Sequence, residues 1–161
     1  MSFRFGTAVL LAMGPVLLTG CDAADEPRAE RQEDGVIAGL TVENARLVLP
    51  AVSGNPAAIY FDVTNSGDKP IAFRSGEVAS AQRTEMHESV MVDGKMVMGE
   101  ANPITVRPGE TTAFKPGGLH LMVFGLSGDV GAGDKVEASL VAAGGTSHRF
   151  QARVQAAGDA R

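Results

Sequence analysis

Residues 90–98 read VMVDGKMVM, and this stretch decides the fold class. Asp93 and Gly94 form a strong two-residue hairpin signal, because both positions of such a turn favour a positive φ. Apolar side chains alternate on either side of the turn with the period of two that is typical of strands. The stretch therefore predicts a β-hairpin. Its facing pairs are Val92 with Lys95, Met91 with Met96, Ser89 with Met98, and His87 with Glu100.

The chain from residue 36 onward has the same strand-and-turn pattern. No helical period lasts longer than a couple of turns, and short β-rich segments alternate with turn signals such as those at 65–68 and 107–110. This spacing predicts an all-β domain, either a sandwich or a small barrel. The predicted strands are Leu40 to Val48, Ala57 to Asn65, Ile71 to Ser75, Thr84 to Val92, Lys95 to Gly99, Ile104 to Val106, Thr111 to Lys115, His120 to Leu126, Lys135 to Ala142 and Ser147 to Val154.

Length, charge and cysteine count limit what this domain can do. The 161 residues allow one domain and a processed leader. The formal net charge of -5 leaves no basic patch for phosphates, so nucleic acid is excluded as a partner. The single cysteine excludes an internal disulfide, a zinc knuckle and an iron–sulfur cluster. Since no Ser-His-Asp, paired-carboxylate or nucleotide-loop pattern is present either, we expect a binding protein and not an enzyme.

The first residues are typical of a secretory leader. Arg4 precedes an apolar run over 6–18 that is too short to span a bilayer, and the run ends in LTGC at 18–21. These four residues resemble the lipobox of bacterial lipoproteins, which predicts that Cys21 carries a lipid on the periplasmic side of a bacterial membrane. Only this lipid would touch the membrane. The alternative is an ordinary secreted protein with a free thiol near its start. The predicted segments are a signal peptide over 1–20, the lipidated cysteine and a charged tether over 21–35, a β-sandwich over 36–155 and a flexible tail over 156–161.

The methionines are clustered. Five of the seven lie within residues 86–122, which also contain two of the three histidines. Methionines that only fill a core would be scattered, although core filling is the usual role of methionine and stays the alternative. The clustered side chains are Met86, His87, Met91, Met96, Met98, His120 and Met122.

The strand period places several of these side chains together. In the predicted hairpin His87 shares a face with Met96 and Met98, and His120 shares a face of another strand with Met122. Two imidazoles with two or more thioethers suit Cu(I) far better than Mg, Ca or Mn, and thioethers are poor zinc ligands. A blue-copper centre is excluded because it requires a cysteine thiolate in the domain.

The spacing of His87, Met98, His120 and Met122 is H-x10-M-x21-H-x-M, and with it the chain resembles the PCuAC family of periplasmic copper chaperones. The surroundings over 85–88, 94–98, 107–109 and 115–122 are similar too, and the resemblance covers about residues 38–154. It implies a cupredoxin-like Greek-key β-sandwich that holds Cu(I) at these four residues. It also implies storage of copper, or its delivery to an acceptor such as a cytochrome c oxidase subunit or a Sco-type chaperone, and leaves Cu(II) binding open. The chain departs from the family at 45–47, where an aromatic residue is often found.

Accessory residues complete the expectations. Met96 is a further ligand or a rim or core residue, Met91 is a weaker candidate, and Met86 points to the core. The carboxylates of Glu85 and Glu88 are expected to be solvated, although either could fix the tautomer of a ligating imidazole. Outside the cluster, His148 is expected to be an ordinary surface or strand histidine. The turn over 116–118 brings His120 to the sheet.

The rival function is a metal-free β-sandwich lipoprotein that acts as an adaptor or assembly factor, with the methionines as a recognition surface.

Overall fold

The computed structural model describes residues 35–101 and 103–159. The predicted signal peptide, Cys21 and the tether up to residue 34 lie outside the described residues, and so do the last two residues of the predicted tail. Every regular element within the described ranges is a β-strand. The part of the chain that the structure describes contains no helix of the length and apolarity needed to cross a membrane.

The structure confirms each predicted strand and changes some of their ends. The third strand runs further than predicted, to Val78, and the eighth is shorter at its end, stopping at Phe124. The all-β fold class is therefore confirmed. The strands are β1 (Leu40–Val48), β2 (Ala57–Asn65), β3 (Ile71–Val78), β4 (Arg83–Val92), β5 (Lys95–Glu100), β6 (Ile104–Val106), β7 (Thr111–Phe114), β8 (Leu119–Phe124), β9 (Lys135–Ala142) and β10 (Ser147–Gln155).

The strands form one continuous sheet that folds over into a sandwich. Their order is β5-β4-β8-β7-β2-β1-β10-β9-β3-β6, and neighbours such as β4 with β8 show Greek-key crossovers. One half consists of β5, β4, β8, β7 and β2, and the other of β10, β9, β3 and β6. The strand β1 joins the two halves, because it pairs antiparallel with β2 and in parallel with β10. A bulge between Glu43 and Arg46, with Asn44 at φ 55°, bends β1 at this junction.

The core between the two halves holds the strand β8 in place. Its residue Leu121 is fully buried and packs against β3 at Gly76, where a Cβ would lie 2.8 Å from Leu121 Cδ1. Glycine is therefore the residue that lets β3 approach β8 this closely. The largest fully buried apolar side chains come from both halves: Phe61, Phe73, Phe114, Leu47, Ile59, Leu121 and Leu140.

His148 is in β10, as predicted, but it is not a surface residue. It is buried, and its Nδ1 accepts a hydrogen bond from the Ile37 backbone N–H at 3.1 Å. Burial lowers the pKa of the His148 imidazole below its ordinary value, because the charged form loses its hydration. The imidazole is therefore held neutral, and it fastens residues 35–37 to β10, where Arg149 N–H also donates to Gly35 O.

The lowered pKa of His148 predicts a pH-dependent loss of stability. In the unfolded chain this imidazole takes up a proton near its ordinary pKa of about 6.5. In the folded chain the imidazole takes up the proton only at a lower pH. Its contribution to stability is therefore complete above the unfolded pKa of about 6.5 and declines as the pH falls below that pKa. We expect His148→Asn, whose Oδ1 can accept the same N–H without titrating, to show a smaller drop in Tm between pH 7.5 and pH 5.5 than the wild type. Thermal unfolding followed by circular dichroism measures this, and equal drops in both proteins would contradict it.

Candidate metal centre

The strands β5, β4 and β8 lie side by side and bring the predicted ligands to one face. Across the β4–β8 ladder His87 is paired with His120, and across the β4–β5 ladder Ser89 is paired with Met98. Met122 is paired with Glu85 on β4. Directly paired residues point to the same side of a sheet, and so do residues two apart along a strand.

His87 is the central residue of this arrangement. His120 is its direct cross-strand neighbour, whereas Met98 and Met122 are its diagonal neighbours on opposite sides. Diagonal neighbours are about 7–8 Å apart by backbone, within reach of long side chains. The register therefore gathers all four predicted side chains around His87.

The hairpin has the predicted register. Asp93 and Gly94 both have positive φ, at 49° and 76°. The pairs predicted from residues 90–98 are all observed: Val92 with Lys95, Met91 with Met96, Ser89 with Met98, and His87 with Glu100.

The two imidazoles are close and largely shielded from water. Their ring centroids are 5.9 Å apart and the rings meet edge-on, with 67° between their planes. His120 is buried, and the side chain of His87 is 13% exposed. An ion between these rings would be held where water competes weakly.

Hydrogen bonds fix which nitrogen each imidazole offers. The Nδ1 of His120 lies 3.0 Å from the carbonyl oxygen of Gly118, and since a carbonyl only accepts, Nδ1 donates and Nε2 carries the free lone pair. The Nε2 of His87 donates to the Glu85 carboxylate at 3.0 Å, which leaves the lone pair on Nδ1. This Nδ1 is buried and has no hydrogen-bond partner among the described residues. A buried acceptor without a partner costs about 1–3 kcal/mol, and a bound cation would provide the missing partner.

The prediction that Glu85 is a solvated carboxylate is wrong, whereas Glu88 is exposed as predicted. The side chain of Glu85 is only 22% exposed and is held between the Arg83 guanidinium and His87. Arg83 is itself placed over the ring of Phe124, with its Cζ 4.0 Å from the ring centroid. A signal for this contact is present in the sequence, because residues 85 and 87 are two apart on a strand and so share a face.

The thioethers differ in exposure. Met98 is 49% exposed on the edge strand β5, whereas Met122 is half-buried beside Ala58 of β2. Met96 and Met91 are 59% and 62% exposed on the same face, which excludes the core as the place of Met96. Met86 is buried in the core, as predicted.

Tyr60, which the sequence did not indicate as part of the site, lies beside His120. The ring centroid of Tyr60 is 6.3 Å from that of His120, and the guanidinium of Arg46 lies over the tyrosine ring at 5.3 Å. Burial raises the pKa of the Tyr60 hydroxyl, and the positive charge of Arg46 partly offsets this. The aromatic ring thus carries a cation on its face, an arrangement that stabilises both groups.

The donor set is neutral and combines soft with borderline ligands. It consists of two imidazoles with defined lone pairs and two thioethers, which is a set that Cu(I) accepts. Within residues 35–101 and 103–159, no three His, Cys, Asp or Glu side chains come together to hold a metal ion. The predicted turn over 116–118 is present just before β8: Gly117 has φ 76°, and Gly118 N–H donates to Lys115 O at 3.0 Å.

Known proteins resemble this chain in sequence and in fold. The protein named "Putative lipoprotein Lxx21020" from Leifsonia xyli subsp. xyli (strain CTCB07) is 31% identical over 138 residues, which are 85% of this chain and 80% of that protein. The copper-bound PCuAC domain from PmoF2 superposes with a TM-score of 0.60 at 21% identity, covering 75% of this chain and 96% of the domain. The solution structure of CuI-DR1885 from Deinococcus radiodurans gives a TM-score of 0.56 at 23% identity, covering 84% of this chain and 90% of the other. The structures confirm the PCuAC-like sandwich.

The sequence comparison with whole families gives the same result for the folded part. The LpqE-like family matches residues 40–154, which run from the start of β1 to the penultimate residue of β10. The extent of this match and the identity to the Leifsonia lipoprotein together show that the chain belongs to the LpqE-like family.

Proposed function

We propose that this protein is a copper chaperone that carries Cu(I) as its cargo on His87, Met98, His120 and Met122. The observation that carries the proposal is the paired imidazoles: the Nδ1 of His87 is buried without a hydrogen-bond partner among the described residues, and His87 shares its face of the sheet with His120 and both thioethers. The fold shared with a copper-bound PCuAC domain supports it.

The choice of Cu(I) follows from the ligands. All four are neutral, so a monovalent ion leaves less uncompensated charge on the sheet than a divalent ion would. Thioethers select Cu(I), and a Cu(II) ion would find only the two imidazoles suitable. Methionine forms no disulfides, so the site is not lost through thiol oxidation in an oxidising compartment, where paired cysteines would form a disulfide.

The gradient of exposure provides a route for release. His120 is 6% exposed, whereas Met98 is 49% exposed and stands on an edge strand. An incoming ligand of an acceptor protein can therefore replace Met98 first, while the imidazoles still hold the ion. The cargo then passes through a complex in which donor and acceptor share it.

The proposed acceptor is a copper protein on the periplasmic side of the membrane, such as a cytochrome c oxidase subunit or a Sco-type chaperone, with copper storage as the other role. The resemblance to PCuAC chaperones supports this acceptor class. The lipid anchor on Cys21 would keep the protein at that membrane, and the match to a protein named as a lipoprotein supports the anchor.

A second candidate function has an observation in its favour. Val90, Val92 and Val97 are 43%, 49% and 47% exposed on the hairpin face opposite the methionines. Exposed apolar patches mark interaction surfaces, so a metal-free adaptor would also use this hairpin. The metal titration below separates the two functions.

The Cu(I) site predicts one tight equivalent that depends on the four ligands. The full chain with Cys21→Ser, which removes the one thiol, should compete for Cu(I) with a chromophoric chelator at a stoichiometry of one. Replacing His87, Met98, His120 and Met122 by Ala should abolish this competition, because no donor of the set remains. His148→Asn is the matched control and should bind as the parent does. A parent chain that fails to compete would exclude the copper function and favour the adaptor.

The contact between Glu85 and His87 predicts a positioning role for this carboxylate. Glu85→Ala should weaken Cu(I) binding about tenfold, as is usual when the partner of a ligating imidazole is lost. It should also change the tautomer of His87, which long-range ¹H–¹⁵N NMR detects in the metal-free protein. Glu85→Gln retains an acceptor and should partly restore both properties.

The neighbouring Glu88→Ala is the control for these measurements, because Glu88 is exposed on the other face of β4. Its affinity and its His87 tautomer should equal those of the parent. An unchanged tautomer in Glu85→Ala would show that the carboxylate does not position the ring.

Transfer through a shared complex predicts a dependence on acceptor concentration. When the loaded chain is mixed with the copper-free domain of a cytochrome c oxidase subunit, the rate of metallation should rise with acceptor concentration. Stopped-flow absorbance of the acceptor's copper centre measures this rate. A rate that is constant at the dissociation rate of the donor would mean that copper is released into solution first.

A further inference from the structure

The hairpin of β4 and β5 carries three exposed methionines on one face. Met91, Met96 and Met98 are 62%, 59% and 49% exposed, although large apolar side chains usually avoid water. The His–Met site needs only Met98 of the three. Neither Met91 nor Met96 belongs to the hydrophobic core or packs against it, so packing does not explain why these two positions are methionine.

The register brings the three thioethers within reach of one ion. Met91 and Met96 are directly paired, so their Cβ atoms are about 5 Å apart. Met98 lies two residues further along β5, about 7 Å from Met96 and diagonal to Met91. Each methionine side chain has three rotatable bonds, and at these exposed positions the three sulfurs can turn towards one another.

The chemistry of this face suits a soft monovalent cation. Three neutral thioethers are ligands that Cu(I) accepts and that Mg, Ca and zinc do not. Lys95, the cation next to the turn, is paired with Val92 and therefore lies on the opposite face. Arg83, the other cation of these two strands, lies at the far end of β4 and pairs with Phe124 of β8. No fixed positive charge of the hairpin thus stands among the sulfurs.

We propose that Met91, Met96 and Met98 form a second site for a soft monovalent ion, weaker than the His–Met site and sharing Met98 with it. Its use as a relay between solvent and the His–Met site rests on the proposed function, whereas the binding of the ion does not. Met98 can turn to either site, so the ion moves from three thioethers to the imidazoles by exchange of ligands around one shared sulfur. When both sites are filled, Met98 stays with Met91 and Met96, and the other ion is held by His87, His120 and Met122.

Silver tests the site, because Ag(I) is a soft monovalent ion with the same ligand preference as Cu(I) and does not change oxidation state under these conditions. The full chain with Cys21→Ser is labelled with ¹³C at the methionine ε-methyl groups and titrated with Ag(I). The signal of Met122 should saturate with the first equivalent, and those of Met91 and Met96 should move mainly with the second. Met86 in the core is the internal control and should not move.

Met91→Leu with Met96→Leu should bind one equivalent fewer and leave the response of Met122 unchanged. Leucine is close to methionine in volume and both positions are exposed, so this variant is expected to fold. The proposal is overturned if Met91 and Met96 do not respond to excess Ag(I), if they respond only together with Met122 at the first equivalent, or if the double variant keeps the second equivalent. A silent Met122 with responding Met91 and Met96 would instead refute the His–Met site and leave the second site standing.

Discussion

The ladder between β4 and β8 is the constraint on which the site depends. Next to the outward pair of His87 and His120, the same ladder holds the inward pair of Met86 and Leu121, which are 4% and 0% exposed. A slip of one residue would turn every side chain of a strand to the other face. It would expose Leu121 to water and bury His120 in an apolar core. Hydrophobic burial on one side of the sheet therefore fixes the ligand geometry on the other.

The site combines two imidazoles held by hydrogen bonds with an exposed thioether. Gly118 O accepts a hydrogen bond from the ring of His120, and the Glu85 carboxylate, itself paired with Arg83, accepts one from the ring of His87. Met98 is on an edge strand whose residues are all exposed. Preorganised imidazoles reduce the cost of binding, and an exposed thioether is open to replacement by an incoming ligand. Both properties are useful to a protein that must hold an ion and also release it.

Local patterns explain why so much of the fold was predictable. The Asp93-Gly94 turn fixes its own backbone angles, and with them the register of the whole hairpin, so the pairs from His87 to Met98 could be predicted. Contacts between distant strands were harder. The direct pairing of His87 with His120, and the place of Tyr60 behind it, depend on how the core aligns β4, β8 and β2, for which the sequence has no local signal. For the same reason the burial of His148 was not predicted, whereas the contact of Glu85 with His87 has a local signal and was left open as the less favoured alternative.

The contrast between the exposed hairpin methionines and the buried Met86 has a consequence in oxidation chemistry. Oxidants convert methionine to its sulfoxide, which presents oxygen in place of sulfur and is a poor donor for a soft ion. Met91, Met96 and Met98 are open to this reaction, while Met86, at 4% exposure, is shielded by the sandwich. Mild oxidation would thus disable the proposed metal site of the hairpin without unfolding the domain. A methionine sulfoxide reductase, acting on exposed residues, could reverse it.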